Sequence, residues 1–173
     1  LSRIHTWNDA VLCYNDARRA GFDNINFDIM YGIPLQTPDS LRDTLDAVTD
    51  LDPEHISFYC LKLEDGTPMA RNRHKLALPD DDTVADMYLD SIDLFASRGY
   101  NQYEISNFAR DGYACRHNIR YWQPGEYLGL GPGAHSYLGS CRFSFRRDTE
   151  RYISAMEHPE RSYDIIDEQY TVG

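Results

Sequence analysis

The sequence predicts an α/β fold in residues 21–109, followed by a smaller and less regular part. Apolar and polar residues alternate in segment 23–32, which is typical of a strand with one buried face. Segment 55–63 is apolar almost throughout, which is typical of a strand buried on both faces. Segments with helical spacing lie between the predicted strands. The order strand, helix, strand, helix, strand indicates a parallel α/β sheet or barrel.

The first four elements are bounded by recognisable signals. Thr6 is expected to cap the first helix, which Gly21 ends, and Thr37 to cap the second, with Pro38 in its first turn. The apolar stripe of the second helix consists of Leu41, Leu45 and Val48. In the first strand, one face is expected to carry Ile25, Phe27, Ile29 and Tyr31, and the other Asn24, Asn26, Asp28 and Met30.

The later elements change in character after residue 109. A long helix is predicted over residues 81–98 and a third strand over residues 101–109. Beyond them, Gly139 and Ser140 are expected to turn a hairpin, and Asp148 to cap a helix.

Composition excludes several classes of protein. The net charge of −11 argues against a general nucleic-acid binder, although residues 110–151 hold seven arginines against four acidic residues. No apolar run is long enough for a transmembrane helix. The four cysteines lack disulfide-framework or metal-site spacing, which predicts a reduced, cytoplasmic protein, and Cys60 is expected in the core. The chain begins at Leu1, and we expect it to be part of a longer protein.

Asp28 is the first candidate for a binding role. It lies near the carboxyl end of the first predicted strand, on the face opposite the large apolar residues. Ligands of α/β folds gather at the carboxyl ends of the strands, where a carboxylate can accept hydrogen bonds from ribose hydroxyls. The alternative is a structural carboxylate that pairs with an arginine or a loop amide.

Segment 115–139 is dense in rings, imidazoles and glycines. Gly129, Gly131 and Gly133 alternate, which allows close backbone approach to a flat or anionic ligand, or tight turns packed on aromatic rings. In a helix, His117 and Tyr121 share a face, and an imidazole there can ligate iron. The alternative is a half-buried histidine packed beside tryptophan.

Five segments together resemble the oxygen-independent coproporphyrinogen III oxidase-like family of radical SAM proteins, and within it the haem-chaperone branch. They are "FDNINFDIMYGIPLQT", "PEHISFYCLKLEDGTP", "QYEISNFAR", "CRHNIRYW" and "YLGLGPGAHSYLG". The resemblance implies the C-terminal half of a partial (β/α)6 barrel in residues 1–109. It implies the start of a smaller α+β C-terminal domain in residues 110–173. The cysteine motif for a [4Fe–4S] cluster is expected upstream and is absent from this chain.

The same resemblance implies a site for S-adenosylmethionine. Asp28 matches the aspartate that contacts the ribose, and Met30 matches the hydrophobic residue beside the adenine. Lys62 matches a position that meets the nucleoside through its main chain.

The resemblance also implies a haem site in the second part of the chain. His117, Asn118 and Tyr121 match the HNxxY motif associated with haem binding, with His117 as the iron ligand. Arg120 is expected to pair with a propionate, because guanidinium binds carboxylate through two parallel hydrogen bonds.

Two functions remain open on these grounds. The first is a haem chaperone that passes haem to an acceptor protein, and the histidine of the HNxxY motif favours it. The alternative is an anaerobic coproporphyrinogen III dehydrogenase, an enzyme that decarboxylates its substrate oxidatively, because that porphyrinogen carries four propionates. The present chain alone is expected to be inactive.

Overall fold

The computed structural model describes residues 4–123, 125–160 and 165–171. The chain forms two compact units, Leu1–Ala114 and Cys115–Gly173, each with its own sheet. Within the described ranges, no helix is both long and apolar enough to span a membrane.

Unit 1 is a four-stranded sheet in the order β1-β2-β4-β3 with helices between the strands. Its strands are β1 (Asn26–Tyr31), β2 (His55–Cys60), β3 (Asn101–Glu104) and β4 (Asn107–Ala109). Its helices are α1 (Trp7–Arg19), α2 (Pro38–Asp50), α3 (Pro68–Arg71), a 3₁₀ turn (Arg73–Lys75) and α4 (Asp81–Ser97). β1 and β2 are parallel, as the sequence predicts.

The helix starts of unit 1 confirm the predicted caps. The hydroxyl of Thr6 accepts a hydrogen bond from the backbone of Asp9, and Thr37 does the same for Ser40. Each side chain satisfies a backbone donor that the helix itself cannot pair, and such a cap contributes about 1 kcal/mol.

The apolar core of unit 1 lies on one face of the sheet. It combines residues from α2 and α4 with the inward side chains of the strands, including Phe58, Phe95 and Phe108. The predicted stripe of α2 is confirmed, because Leu41, Leu45 and Val48 are each only 2% exposed. Burying one such side chain contributes roughly 1.5–3 kcal/mol.

The third predicted strand is wrong as a single strand. Residues 101–109 form a hairpin, in which β4 lies between β2 and β3 and runs antiparallel to both. The Glu104 carboxylate accepts a hydrogen bond from the backbone of Ser106 (2.9 Å) and one from the Asn107 side chain, which stabilises the reversal. The sheet is therefore mixed rather than wholly parallel.

The prediction for Cys60 is also wrong. β2 is buried from His55 to Phe58, whereas Tyr59 and Cys60 are exposed. The reason is the short hairpin, because β4 pairs only with the first three residues of β2 and leaves the end of the strand uncovered.

Unit 2 is an α+β unit whose sheet has the antiparallel order β5-β6-β7. Its elements are α5 (Arg116–Trp122), β5 (His135–Leu138), β6 (Cys141–Phe145), α6 (Thr149–Glu157) and β7 (Ile166–Thr171). The predicted hairpin at Gly139 and Ser140 is confirmed, and both residues adopt the left-handed conformation of a tight turn. Asp148 caps α6 as predicted.

Candidate functional site

Helix α5 presents the two residues that the sequence placed on one face. The Nε2 atom of His117 lies 3.1 Å from the hydroxyl of Tyr121, and their rings are perpendicular with centroids 5.0 Å apart. The shared hydrogen bond either runs from the tyrosine hydroxyl to a bare Nε2, or from Nε2–H to the tyrosine oxygen. In both cases Tyr121 occupies the Nε2 atom of His117.

A series of aromatic rings continues from α5 to the sheet of unit 2. The ring of Tyr121 meets Tyr127 edge to face at 4.6 Å, and Tyr127 lies 6.4 Å from Tyr137. Tyr127 and Tyr137 also exchange two backbone hydrogen bonds of 2.9 and 2.8 Å. The rings therefore connect His117 to β5 within one unit.

A cavity of about 590 Å³ opens beside these rings. Its lining includes His117, Tyr121, Tyr127, Leu130, His135 and Arg142. The volume lies in the range of small-molecule sites, roughly 300–1,000 Å³. Rings, aliphatic side chains, two imidazoles and a guanidinium together fit a flat apolar ligand that carries carboxylates and a metal. These residues therefore fit haem.

Two other residues of α5 do not contribute to the cavity in the same way. Arg120 donates a hydrogen bond from Nε to the carbonyl of Glu126 at 3.1 Å, so part of its guanidinium is already engaged. The arginine of unit 2 that lines the cavity, among the described residues, is Arg142. Asn118 is half-buried and follows His117 by one position, about 100° around the helix.

Sequence reasoning did not single out His135 or Arg142 as site residues. A signal was present in the predicted hairpin. Residues two apart in a strand share a face, so His135 lies on the same face as Tyr137, whose partner across the hairpin is Arg142.

The glycines of the same segment allow a close backbone approach and a tight turn. A Cβ atom at Gly129 would lie 2.2 Å from the carbonyl oxygen of His135, so the two stretches of chain approach too closely for any side chain. Gly131 has a positive φ of 112°, and its amide donates to the hydroxyl of Tyr152 at 2.9 Å. This arrangement favours the second interpretation, in which the glycines form tight turns packed on rings.

A second candidate site lies on the face of the unit 1 sheet that is opposite the core. Asp28 is exposed there, and its Oδ1 accepts a hydrogen bond from the side-chain amide of Asn26 at 2.7 Å. The partner of Asp28 is therefore a neighbouring side-chain amide on the same strand. Asp28 and Met30 also line a cavity of about 550 Å³ beside β1, together with Trp7 and Gln36.

A buried histidine anchors Asn26 from the neighbouring strand. The Nδ1 atom of His55 lies 2.6 Å from Asn26 Oδ1, and its Nε2 lies 2.6 Å from the hydroxyl of Tyr103. Burial lowers the pKa of His55, against the opposing effect of the charges of Asp28 and Glu104, and so favours the neutral ring.

The hydrogen bonds of this group have one consistent direction. Because Asn26 donates its NH₂ to Asp28, its oxygen must accept from His55 Nδ1–H, and Nε2 then accepts from Tyr103. Ser57 adds a hydroxyl donor 3.2 Å from the same Asn26 oxygen. We call Tyr103, His55, Asn26 and Asp28 the relay, because each member donates to the next.

Lys62 follows the end of β2, on the same edge of the sheet as the residues after β1. Its ammonium lies 3.3 Å from Glu64 and its side chain is 81% exposed. The side chain therefore extends into solvent and pairs with Glu64, and the main chain is the part of Lys62 that a ligand can contact.

The residues present do not fit an iron–sulfur cluster. Across the described ranges, no three His, Cys, Asp or Glu side chains lie close enough together to hold a metal ion. The four cysteines are all free. By contrast, the cavity beside Asp28 and Met30 offers an exposed carboxylate and apolar side chains, the groups that a ribose and an adenine would need.

Comparison with known proteins gives relatives over most of the chain, although no family model matches. A heme chaperone HemW of Mycobacterium tuberculosis is 40% identical over 146 residues, which is 83% of this chain and 37% of that protein. HemW of Escherichia coli is 37% identical over 135 residues, or 78% of this chain and 35% of that protein. A mouse protein named radical S-adenosyl methionine domain-containing protein 1, mitochondrial, is 38% identical over 78% of this chain and 31% of its own length.

One solved structure shares the fold over nearly the whole chain. It is the coproporphyrinogen III oxidase HemN of Escherichia coli, described as a radical SAM enzyme. The TM-score is 0.74 and the identity 22%, over 99% of this chain and 42% of that one. This match shows the predicted α/β fold, a partial barrel followed by a smaller α+β part. The chain spans a little over a third of the length of the first curated relatives.

Proposed function

Because the chain belongs to the HemW/HemN-like family of radical SAM proteins, we propose that it supplies the haem-binding part of a haem chaperone. The intact protein binds haem and hands it to an acceptor protein. The relatives that are 35–41% identical and carry the name heme chaperone HemW support this function over the oxidase.

The observation that carries the proposal is the cavity of unit 2. Haem is a flat apolar ring with two propionates and an iron atom, and the cavity offers the chemistry for each part. Tyr121 and Tyr127 give ring surfaces, and His117 gives an imidazole on the same wall. Neutral imidazole is a common ligand of haem iron.

Arg142 is the stronger choice for the propionate contact. It lines the cavity, whereas Arg120 already donates to the carbonyl of Glu126. We therefore expect Arg142→Gln to weaken haem binding and to leave the absorption spectrum intact, because it removes a charged contact without touching the iron. Arg120→Gln is the matched comparison. A larger loss of haem affinity in that variant would show that Arg120, and not Arg142, pairs with the propionate.

The unit 1 cavity is proposed to hold S-adenosylmethionine. Asp28 accepts hydrogen bonds from the ribose hydroxyls, Met30 packs beside the adenine, and Lys62 meets the nucleoside through its main chain. The relay fixes the Asp28 carboxylate before the ligand arrives, since Asn26 holds one of its oxygens. A [4Fe–4S] cluster bound by residues outside this chain supplies the electron chemistry of radical SAM proteins.

A haem titration of His117→Ala beside a thermal melt tests the haem assignment. Loss of the imidazole is expected to change the haem spectrum and weaken binding at least tenfold, while the melting temperature stays close to that of the unaltered protein. His158→Ala is the control, because His158 is an exposed histidine of the same unit that lies beside Glu160. An unaltered spectrum with a lowered melting temperature would mean that His117 only packs against Tyr121.

A further inference from the structure

We propose that His135 provides a second axial ligand, so that the haem iron is held between His135 and His117. This inference rests on the proposed function, because it assigns a role within the same haem cavity. It concerns a residue that lies outside the HNxxY segment and comes from a different element of unit 2.

The register of the hairpin places His135 on the cavity side of the sheet. Tyr137 pairs with Arg142 across the hairpin, and His135 lies two residues before Tyr137, about 6.6 Å along the same face. Ser136 faces the other way and is fully buried. His135 itself is exposed and lines the cavity together with His117.

The ring series connects the two elements that carry the histidines around one cavity. His117 contacts Tyr121, Tyr121 contacts Tyr127, and Tyr127 pairs with Tyr137 on the strand that carries His135. The cavity is thus bounded by an imidazole from α5 and by an imidazole from β5. A planar ligand that enters it meets a nitrogen ligand from each element.

The backbone of His135 is held at a defined position. A Cβ atom at residue 129 would lie 2.2 Å from the His135 carbonyl oxygen, so only a glycine fits at this position. The amide of Gly129 also donates to the hydroxyl of Ser136 at 3.0 Å. This close crossing of two chain segments fixes the start of β5, and with it the origin of the His135 side chain.

Ligation by two imidazoles has a definite chemical consequence. Both axial positions of the iron are filled, so the ferric haem is six-coordinate and low-spin, and small external ligands are excluded. With one imidazole only, the iron keeps an open or water-filled position and is high-spin. The spin state therefore distinguishes a second ligand from a nearby bystander.

The test uses the whole chain loaded with ferric haem, observed by absorption and electron paramagnetic resonance spectroscopy. The expected result is a low-spin signal in the unaltered protein and a high-spin signal in both His117→Ala and His135→Ala, each with at least tenfold weaker binding. His158→Ala is expected to match the unaltered protein. His135→Met is expected to remain low-spin with a changed signal, because a thioether then replaces an imidazole at the iron.

The outcomes separate this inference from the proposed function. A low-spin spectrum and unchanged affinity in His135→Ala, beside a clear loss in His117→Ala, would overturn the role of His135 and leave the haem function standing. Failure of the unaltered chain to bind haem would overturn both. Circular dichroism of each variant checks that the fold is retained. If His135→Ala is unstable, a changed low-spin signal in His135→Met supports ligation, and a signal identical to that of the unaltered protein overturns it.

Discussion

Replacing Tyr121 by Phe is expected to strengthen haem binding. In the structure the Tyr121 hydroxyl is hydrogen-bonded to Nε2 of His117, 3.1 Å away. If the iron takes this same nitrogen, the hydrogen bond must break first, and its free energy is subtracted from the binding of haem. Tyr121→Phe removes the hydroxyl and keeps the ring that contacts Tyr127.

The expected magnitude follows from the exposure of the pair. A hydrogen bond contributes about 0.5–1.5 kcal/mol net, and the lower part of this range applies here because Tyr121 is 51% exposed and water competes for both atoms. A gain of about 0.5–1 kcal/mol corresponds to roughly two- to fivefold tighter binding.

The assay is a haem titration that compares Tyr121→Phe with Tyr127→Phe. The second variant removes a hydroxyl from the adjacent ring and leaves the bond to His117 in place, so it should bind haem like the unaltered protein. Weaker binding by Tyr121→Phe would refute the reasoning. It would mean that Tyr121 accepts from Nε2–H and orients the ring, so that Nδ1 is the nitrogen that meets the iron.

Four further predictions concern the rest of the chain. In protein that also carries the cluster, Asp28→Ala should weaken S-adenosylmethionine binding about tenfold or more, since a hydrogen bond to a charged group is worth about 1.5–3 kcal/mol; unchanged affinity in calorimetry would return Asp28 to a structural role. Tyr100→Phe should lower the free energy of unfolding by about 1–2 kcal/mol in urea denaturation, because its buried hydroxyl donates to the Pro53 carbonyl at 2.8 Å; an unchanged midpoint would contradict this. Burial lowers the pKa of His55 below its ordinary 6.5, so the stability that the neutral ring contributes is present above pH 6.5 and lost as the pH falls through the folded pKa. In His55→Gln the free energy of unfolding should fall less steeply with decreasing pH over this range, and the same slope as in the unaltered protein would contradict the prediction. Anaerobic reconstitution of this chain alone should yield no stoichiometric cluster, and about four irons per chain would disprove that.

The caps, helices and first strand of unit 1 were predictable because their signals are local. Thr37, Pro38 and the stripe of Leu41, Leu45 and Val48 lie within twelve residues of one another, and each acts on its own helix. The alternation in β1 likewise follows from one strand facing one core.

The hairpin at residues 101–109 was missed because its reversal depends on side-chain contacts. The segment contains no glycine or proline to signal a turn. Instead Glu104 reaches forward to the backbone of Ser106, and Asn107 pairs across to Ser57 of β2. The alternation of apolar and polar residues over nine positions is the same in one continuous strand and in a short hairpin. The pattern could therefore not distinguish these two structures. Cys60 was misplaced for the same reason, since the length of β4 decides how much of β2 is covered.

The sequence indicated individual residues of the candidate sites, but not the groups of side chains that contact one another there. Asp28 was proposed from its position on one strand, whereas the group that holds it joins three strands. Asn26 and His55 are 29 positions apart in the sequence, and His55 and Tyr103 are 48 positions apart. No local pattern encodes such contacts, and His55 alone reads as a polar residue at the start of an apolar strand. Once the register is known, the direction of the hydrogen bonds follows from the Asn26 amide, which has one acceptor and must donate to the carboxylate. The Nδ1–H of His55 then holds the Asn26 oxygen, and the lowered pKa that burial produces favours the neutral ring, whose bare Nε2 accepts from Tyr103.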